Sequence, residues 1–341
     1  MNVRELQSVA EALVRKGKGI LAADESTGTI QKRLASVNVI STEETRRAYR
    51  EMLFSTEGAE AYISGVILYD ETIRQSHRDG TPFPTLLESK GIIPGIKVDT
   101  GAKEMAGFPG ERITEGLDGL RERLAEYHSL GAAFAKWRAV ITIGLGIPTM
   151  ACIRANAHAL ARYAALCQES GLVPIVEPEV LMDGDHTIER CEEVTGLTLR
   201  CVFSELLDQR VQLEGMLLKP NMVLSGKECA RQAGVQEVAE ATLRCFQQVV
   251  PAAVPGVVFL SGGQSAVLAT QHLNAMNAIG SFPWELSFSY GRALQAPALK
   301  AWRGEPANVS EAQRLYYHRA KCNGAARHGR YSADMEKTTA A

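Results

Sequence analysis

Short apolar runs ending in a charged or hydroxyl side chain recur through this chain, and helical periodicity fills the gaps between them. Residues 19–25, 65–70, 92–99, 133–138, 173–179, 216–218, 256–263 and 285–292 read as eight strands. Between and before them, apolar spacing predicts helices over 3–16, 45–54, 156–170, 191–207, 235–249 and 265–279, with Leu117, Leu120 and Leu124 marking another that stops at Gly131. Ser41 with Glu44, and Ser310 with Gln313, have the spacing of capping boxes. Strands alternating with helices require a parallel sheet, and eight such units predict an α/β chain closed into a (β/α)8 TIM barrel. An open doubly wound sheet would call for Gly-x-Gly-x-x-Gly after its first strand, where Ala22-Ala23-Asp24 stands instead. The expected organisation is one barrel domain over 1–325 and a loose polar tail over 326–341.

The bulk properties exclude several classes of function. A formal charge of -2 gives no general reason to bind nucleic acid or an acidic membrane. Seven scattered cysteines without a Cys-x-x-Cys pair point to free thiols in a reducing compartment. The N-terminus carries charges in its first turns and lacks the apolar centre of a signal peptide. The apolar run 249–260 is broken by Pro251 and Pro255 and is too short to span a bilayer. A cytoplasmic protein is expected.

In a barrel of this kind the C-terminal strand ends converge on one site. Here they supply Asp24, Lys97, Lys136, Arg138, Glu177, Glu179, Lys219, Ser261, Ser289 and Arg292. Charges in apolar strands are costly to bury unless paired or functional, and so many at the same end outnumber what structural ion pairs explain. Lys219 ends a buried strand at Pro220, half withdrawn from water, where an amine can lose its proton and become a nucleophile. Lys136 nearby is expected to favour that neutral form. Glu177 and Glu179, two apart on a strand, share a face and can exchange protons as a carbinolamine forms and collapses. Asp24, across the barrel, is left as a separate base.

Phosphate binding is indicated twice. Ser261-Gly262-Gly263 leads into a helix N-terminus, and Gly291-Arg292 adds a guanidinium on the next strand, where this fold usually holds phosphate. Lys32-Arg33 after the first strand offers a second cationic pair, which suits a doubly phosphorylated ligand. Three other patterns carry less. Leu260-Ser261-Gly262-Gly263-Gln264 is like the signature of transporter ATPases, but no Gly-x-x-x-x-Gly-Lys-Ser/Thr accompanies it. Asp183-Gly184-Asp185-His186 reads as an acidic turn, because no further histidine ligand is placed near it. The seven histidines show no metal-ligand spacing, so no metal is expected.

Seven motifs, from Leu21-Ala22-Ala23-Asp24-Glu25-Ser26-Thr27-Gly28 through Gly95-Ile96-Lys97-Val98-Asp99, Phe134-Ala135-Lys136-Trp137-Arg138, Val176-Glu177-Pro178-Glu179, Leu218-Lys219-Pro220-Asn221 and Leu260-Ser261-Gly262-Gly263-Gln264 to Ser289-Tyr290-Gly291-Arg292-Ala293-Leu294-Gln295, resemble class I fructose-bisphosphate aldolase. The likeness runs from about residue 15 to 325, with the motifs in the family's order. It implies reversible cleavage of fructose 1,6-bisphosphate to dihydroxyacetone phosphate and glyceraldehyde 3-phosphate, without metal or organic cofactor, by a homotetramer of glycolysis and gluconeogenesis. It further implies that Lys219 forms the Schiff base at the C2 ketone, that Glu177 is the acid and base of carbinolamine dehydration, and that Lys136 and Glu179 support it. Asp24 matches the group that takes the C4-hydroxyl proton. Ser261, Gly262, Gly291 and Arg292 match one phosphate site; Ser26, Lys32, Arg33 and Lys97 match the region of the other.

Two positions depart from the family pattern. Many members end in a tyrosine thought to assist proton exchange at C3, whereas this chain ends Lys337-Thr338-Thr339-Ala340-Ala341 and has its last tyrosine at Tyr331. Either another group serves that step or turnover is slower there. Thr29 stands where serine is more usual but keeps a hydroxyl. The competing readings are a Schiff-base aldolase preferring another ketose phosphate such as fructose 1-phosphate, and a non-catalytic scaffold that binds phosphorylated or acidic partners at its basic mouth.

Overall fold

The computed structural model describes residues 3–337. Helix α1 (Val3–Leu13) precedes strand β1 (Gly19–Ala22), α2 (Thr27–Ala35) and α3 (Glu43–Phe54). Then come β2 (Ile63–Leu68), α4 (Asp70–Ile73), α5 (Phe83–Ser89) and β3 (Ile93–Lys97), followed by a short hairpin, β4 (Gly101–Glu104) and β5 (Arg112–Glu115). The alternation resumes with α6 (Leu120–Ser129), β6 (Phe134–Ile141), α7 (Met150–Glu169), β7 (Val173–Val180), α8 (Ile188–Asp208), β8 (Leu217–Leu218) and α9 (Val235–Val249). It closes with β9 (Gly256–Phe259), α10 (Ala266–Ile279), β10 (Glu285–Tyr290), α11 (Arg292–Trp302), α12 (Val309–Ala326) and α13 (Asp334–Lys337). Eight parallel strands join in the order β1-β10-β9-β8-β7-β6-β3-β2, and the ring closes: the (β/α)8 TIM barrel is the fold.

Alternation along each strand puts every second side chain inside, and those side chains change character with height. On β7 the inward series rises from Val173 and Ile175 to Glu177 and Glu179. On β6 it rises from Phe134 to Lys136 and Arg138, and β8 gives Leu217 and then Lys219. Ile20 and Ala22 lead to Asp24 in the same way. The lower layer is a separate apolar cluster, and α1 stoppers it from beneath: Leu6, Ala10 and Leu13, spaced by four and three on one helical face, pack with Ile67, Phe134, Val173 and Leu217. Gly95 makes room for the Phe134 ring, which lies 2.3 Å from where a Cβ would stand.

The caps differ from expectation. Thr42, not Ser41, heads α3, its hydroxyl taking the Thr45 amide at 3.1 Å while the Thr45 hydroxyl takes the Thr42 amide. Ser310 lies inside α12, and Gln313 instead donates to the Met52 carbonyl and the Ser55 hydroxyl. From 326 on, Ala326, Arg327 and Tyr331 are buried while 332–334 and Lys337 are exposed, and 338–341 lie outside the described residues. Arg327 is buried and donates to the carbonyls of Val14, Lys18 and Leu286, tying the end of α12 to both sides of the ring's seam. The Tyr331 amide donates to Asn274 at 2.8 Å and its hydroxyl to Glu336 at 2.8 Å. No helix among the described residues is long and apolar enough to cross a membrane.

Candidate active site

The upper ends of the strands enclose a cavity of about 530 Å3. Asp24, Ser26, Lys32, Arg33, Lys97, Lys136, Arg138, Glu177, Glu179, Lys219, Ser261, Gly262, Ser289, Gly291 and Arg292 all line it. Gly263 does not: its amide faces the Met182 sulfur at 3.1 Å, and Lys227 occupies the space beside its Cα. A glycine at that turn reads as part of an anion loop, yet the chain has already swung away from the mouth.

Four side chains form an unbroken row of alternating charge across the floor. Asp24 Oδ2 lies 2.6 Å from Lys136 Nζ, Lys136 Nζ lies 3.3 Å from Glu177 Oε2, and Glu177 Oε1 lies 3.3 Å from Lys219 Nζ. Lys136, Glu177 and Lys219 are each at most 4% exposed. Burial alone would raise the Asp24 pKa, but the Lys136 and Lys219 cations outweigh it and hold the carboxyl well below its usual range. Burial likewise opposes the Lys136 ammonium, and the Asp24, Glu177 and Asp99 carboxylates overcome it and push its pKa far up. Asp24 is therefore not separate; it reaches across the ring to Lys136. The expected direct influence of Lys136 on Lys219 also changes, because the Glu177 carboxylate stands between the two amines.

A second tier surrounds the row. Arg138 Nε contacts Glu179 Oε2 at 2.5 Å, and Lys97 Nζ contacts Asp99 Oδ1 at 2.5 Å. Arg292 reaches the Gly262 carbonyl, joining the loops after β9 and β10. Burial, and then the neighbouring Arg33 guanidinium, lower the Arg292 pKa, as befits cations gathered around a place for an anion. The buried Ser289 hydroxyl lies in the lining with no partner among the described residues.

Sequence reasoning missed the supports. Glu25, at the cavity wall beside Asp24, pairs with Arg33 and with the buried Arg50 at 2.9 Å and accepts from Gln295 at 3.0 Å. No sequence spacing marks Arg50 as its partner. Gln264 donates to the Ser261 carbonyl at 3.1 Å and is itself held by buried His272, whose Nδ1 lies 2.6 Å from Gln264 Oε1.

An eight-stranded barrel that buries lysine against carboxylates beneath a cationic rim defines the class: an enzyme acting on phosphorylated carbonyl compounds. The family model described as fructose-bisphosphate aldolase class-I matches residues 5–341. A relative from Xanthomonas campestris, described as a probable fructose-bisphosphate aldolase class 1, is 59% identical and covers 97% of this chain and 99% of its own length. A cytosolic fructose-bisphosphate aldolase of Arabidopsis thaliana is 55% identical over 97% of this chain and 93% of its own. Among solved structures, the Plasmodium falciparum fructose-bisphosphate aldolase, crystallised with TRAP and a small-molecule inhibitor, superposes with a TM-score of 0.96 at 50% identity, covering 97% of this chain and 96% of that one. The chain belongs to the class I fructose-bisphosphate aldolase family. It is an aldehyde-lyase that cleaves fructose 1,6-bisphosphate reversibly through a lysine Schiff base.

Proposed function

We propose that Lys219 is the Schiff-base lysine and that the row of alternating charge carries its protons. The observation behind this reading is the placement of Glu177 at 3.3 Å from both amines. Glu177 takes a proton from Lys219 Nζ as that nitrogen attacks the C2 ketone of the open-chain sugar, and returns it to the carbinolamine hydroxyl, which leaves as water. Asp24, ionised beside Lys136, accepts the C4-hydroxyl proton as the C3–C4 bond breaks, and the bonding pair passes through C2 to the iminium nitrogen. Glyceraldehyde 3-phosphate leaves. Protonation of the enamine at C3 and hydrolysis then release dihydroxyacetone phosphate and regenerate the amine. Glu179 fixes Arg138 at the wall of the site, and Lys136 keeps Asp24 ionised while standing between it and Glu177.

The phosphate next to the ketone end sits against Ser261, Gly262, Ser289, Gly291 and Arg292; the other meets Ser26, Lys32, Arg33, Lys97 and Arg138. Cations at both ends of one cavity favour the bisphosphate over fructose 1-phosphate, and the intact proton row argues against a scaffold that only binds. Tyr331 is held on the outer helices by Asn274 and Glu336, so proton exchange at C3 falls to a group of the cavity or to solvent. A cytoplasmic homotetramer accords with the family and with the free thiols. Reduction with borohydride in the presence of dihydroxyacetone phosphate tests the assignment. The label is expected on Lys219, with cleavage insensitive to chelators and faster for the bisphosphate; a label on any other lysine overturns the nucleophile.

A further inference from the structure

Outside the barrel, on the outer helices and away from the catalytic cavity, three potential metal ligands meet. His318 and Cys322 lie four apart on α12, one turn above the other, so their side chains share a face. Glu336, on α13, reaches back across to them. His318 Nε2 lies 3.5 Å from Cys322 Sγ and 3.5 Å from Glu336 Oε2, and the ligand atoms of all three fall within 4.8 Å of one another. Zinc bonds of roughly 2.3 Å to sulfur and 2.0–2.1 Å to nitrogen or oxygen, at tetrahedral angles, separate such ligands by about 3.4–3.6 Å. The two edges that meet at His318 Nε2 therefore have the length of a zinc tetrahedron's, and the third is within 4.8 Å. A scan for histidine spacing overlooks it, because two of its three ligands are not histidine and one comes from the far side of a turn.

The surroundings support the same reading. Glu336 Oε1 accepts from Arg319 at 2.5 Å and from the Tyr331 hydroxyl at 2.8 Å, and its Oε2 faces His318. Hydrogen bonds to one oxygen that orient the other are a common outer shell for a ligating carboxylate. Cys322 is fully buried, whereas the side chains of His318 and Glu336 are 13% and 26% exposed, so the face opens to water on one side only. A thiol, an imidazole and a single carboxylate suit zinc rather than magnesium or calcium. Thiolate and carboxylate together neutralise a divalent cation, which spares it repulsion from Arg319.

We infer that His318, Cys322 and Glu336 form a three-ligand site for a zinc-type cation, completed by water, that fastens the C-terminal segment to α12. On binding, Cys322 gives its proton to solvent as the metal–sulfur bond forms. Because Arg319 also donates to the Ala266 carbonyl at 3.2 Å, at the start of α10, the fastened segment lies beside the helix that follows the Ser261 loop.

The test uses the full chain, freed of metal by a chelator and titrated with Co2+ and then Zn2+. One equivalent of Co2+ is expected to bind with a near-ultraviolet cobalt–thiolate band, and Zn2+ is expected to displace it. Cys322→Ser should abolish the band, and His318→Gln and Glu336→Gln should each weaken binding by at least about tenfold. Zn2+ should slow tryptic cleavage after Arg330 in the parent chain and not in Cys322→Ser. A missing band, a band that survives Cys322→Ser, or equal affinity in the His318 and Glu336 variants overturns the site. Aldol cleavage should be unchanged throughout, which separates this result from any failure of the Lys219 assignment.

Discussion

The two halves of the barrel interior are built from the same strands and could hardly differ more. Below, Ile20, Ile67, Phe134, Val173, Ile175, Leu217 and Val258 interlock above α1 and contain no ionisable group. Two residues above Phe134, Ile175 and Leu217 stand Lys136, Glu177 and Lys219, and four above Ile20 stands Asp24, each held by its neighbours. The lower layer releases free energy by leaving water, while the upper one costs it, since buried ion pairs rarely repay their desolvation. One strand thus carries stability at its root and chemistry at its tip. That division lets the tip be altered without unfolding the molecule.

Substitutions can break this separation or sharpen it. The largest expected effect is that of Lys219→Met, which should lower kcat/KM by at least roughly 10⁴-fold, the scale on which loss of a covalent nucleophile is felt. Its thermal midpoint should stay within about 5 °C of the parent, since the change in stability expected is at most a couple of kcal/mol. A collapse in calorimetry would mean that the ion row, too, holds the fold together. Ile67→Ala attacks the other layer, on a strand whose end contributes nothing to the cavity lining. It should cost about 2–5 kcal/mol in urea unfolding and leave kcat of the folded fraction unchanged. Loss of kcat in proportion to stability would show the layers to be coupled.

The third effect lies at the join. Burial depresses the His272 pKa to about 4 from an ordinary 6.5, so the folded chain holds the ring neutral while the unfolded chain protonates it first. Its contribution is complete above pH 6.5 and is lost as pH falls from there towards 4, to a limit of about 3 kcal/mol. Urea midpoints measured between pH 7.5 and 4.5 should fall accordingly, and His272→Asn, which can still donate to Gln264, should flatten that slope. An unchanged slope would place the acid sensitivity elsewhere.

Much of the architecture was legible because its signals are local. Each strand announces itself by an apolar run and a polar end, and convergence of those ends follows from the fold. Contacts across the ring are another matter. Asp24 and Lys136 are brought together only when the barrel closes, and no spacing records that; hence Asp24 was read as a base standing alone. The hairpin of β4 and β5 escaped notice since 101–115 is polar and punctuated by Gly107 and Gly110, without the alternation of a half-buried strand. Thr42 was passed over as a cap because its partner, Thr45, is neither Glu nor Gln. Gly263 reads as part of the anion loop from its neighbours alone, and in the fold its amide faces the Met182 sulfur.

The seam of the ring has a consequence for how the molecule is made. β1 pairs with β10, and Arg327 stitches the carbonyls on either side of that junction. A chain emerging from the ribosome therefore exposes β1 as an unmated edge until nearly all of it has been synthesised. The wall that carries Asp24 closes only at the last, when β10 brings Ser289, Gly291 and Arg292 beside it.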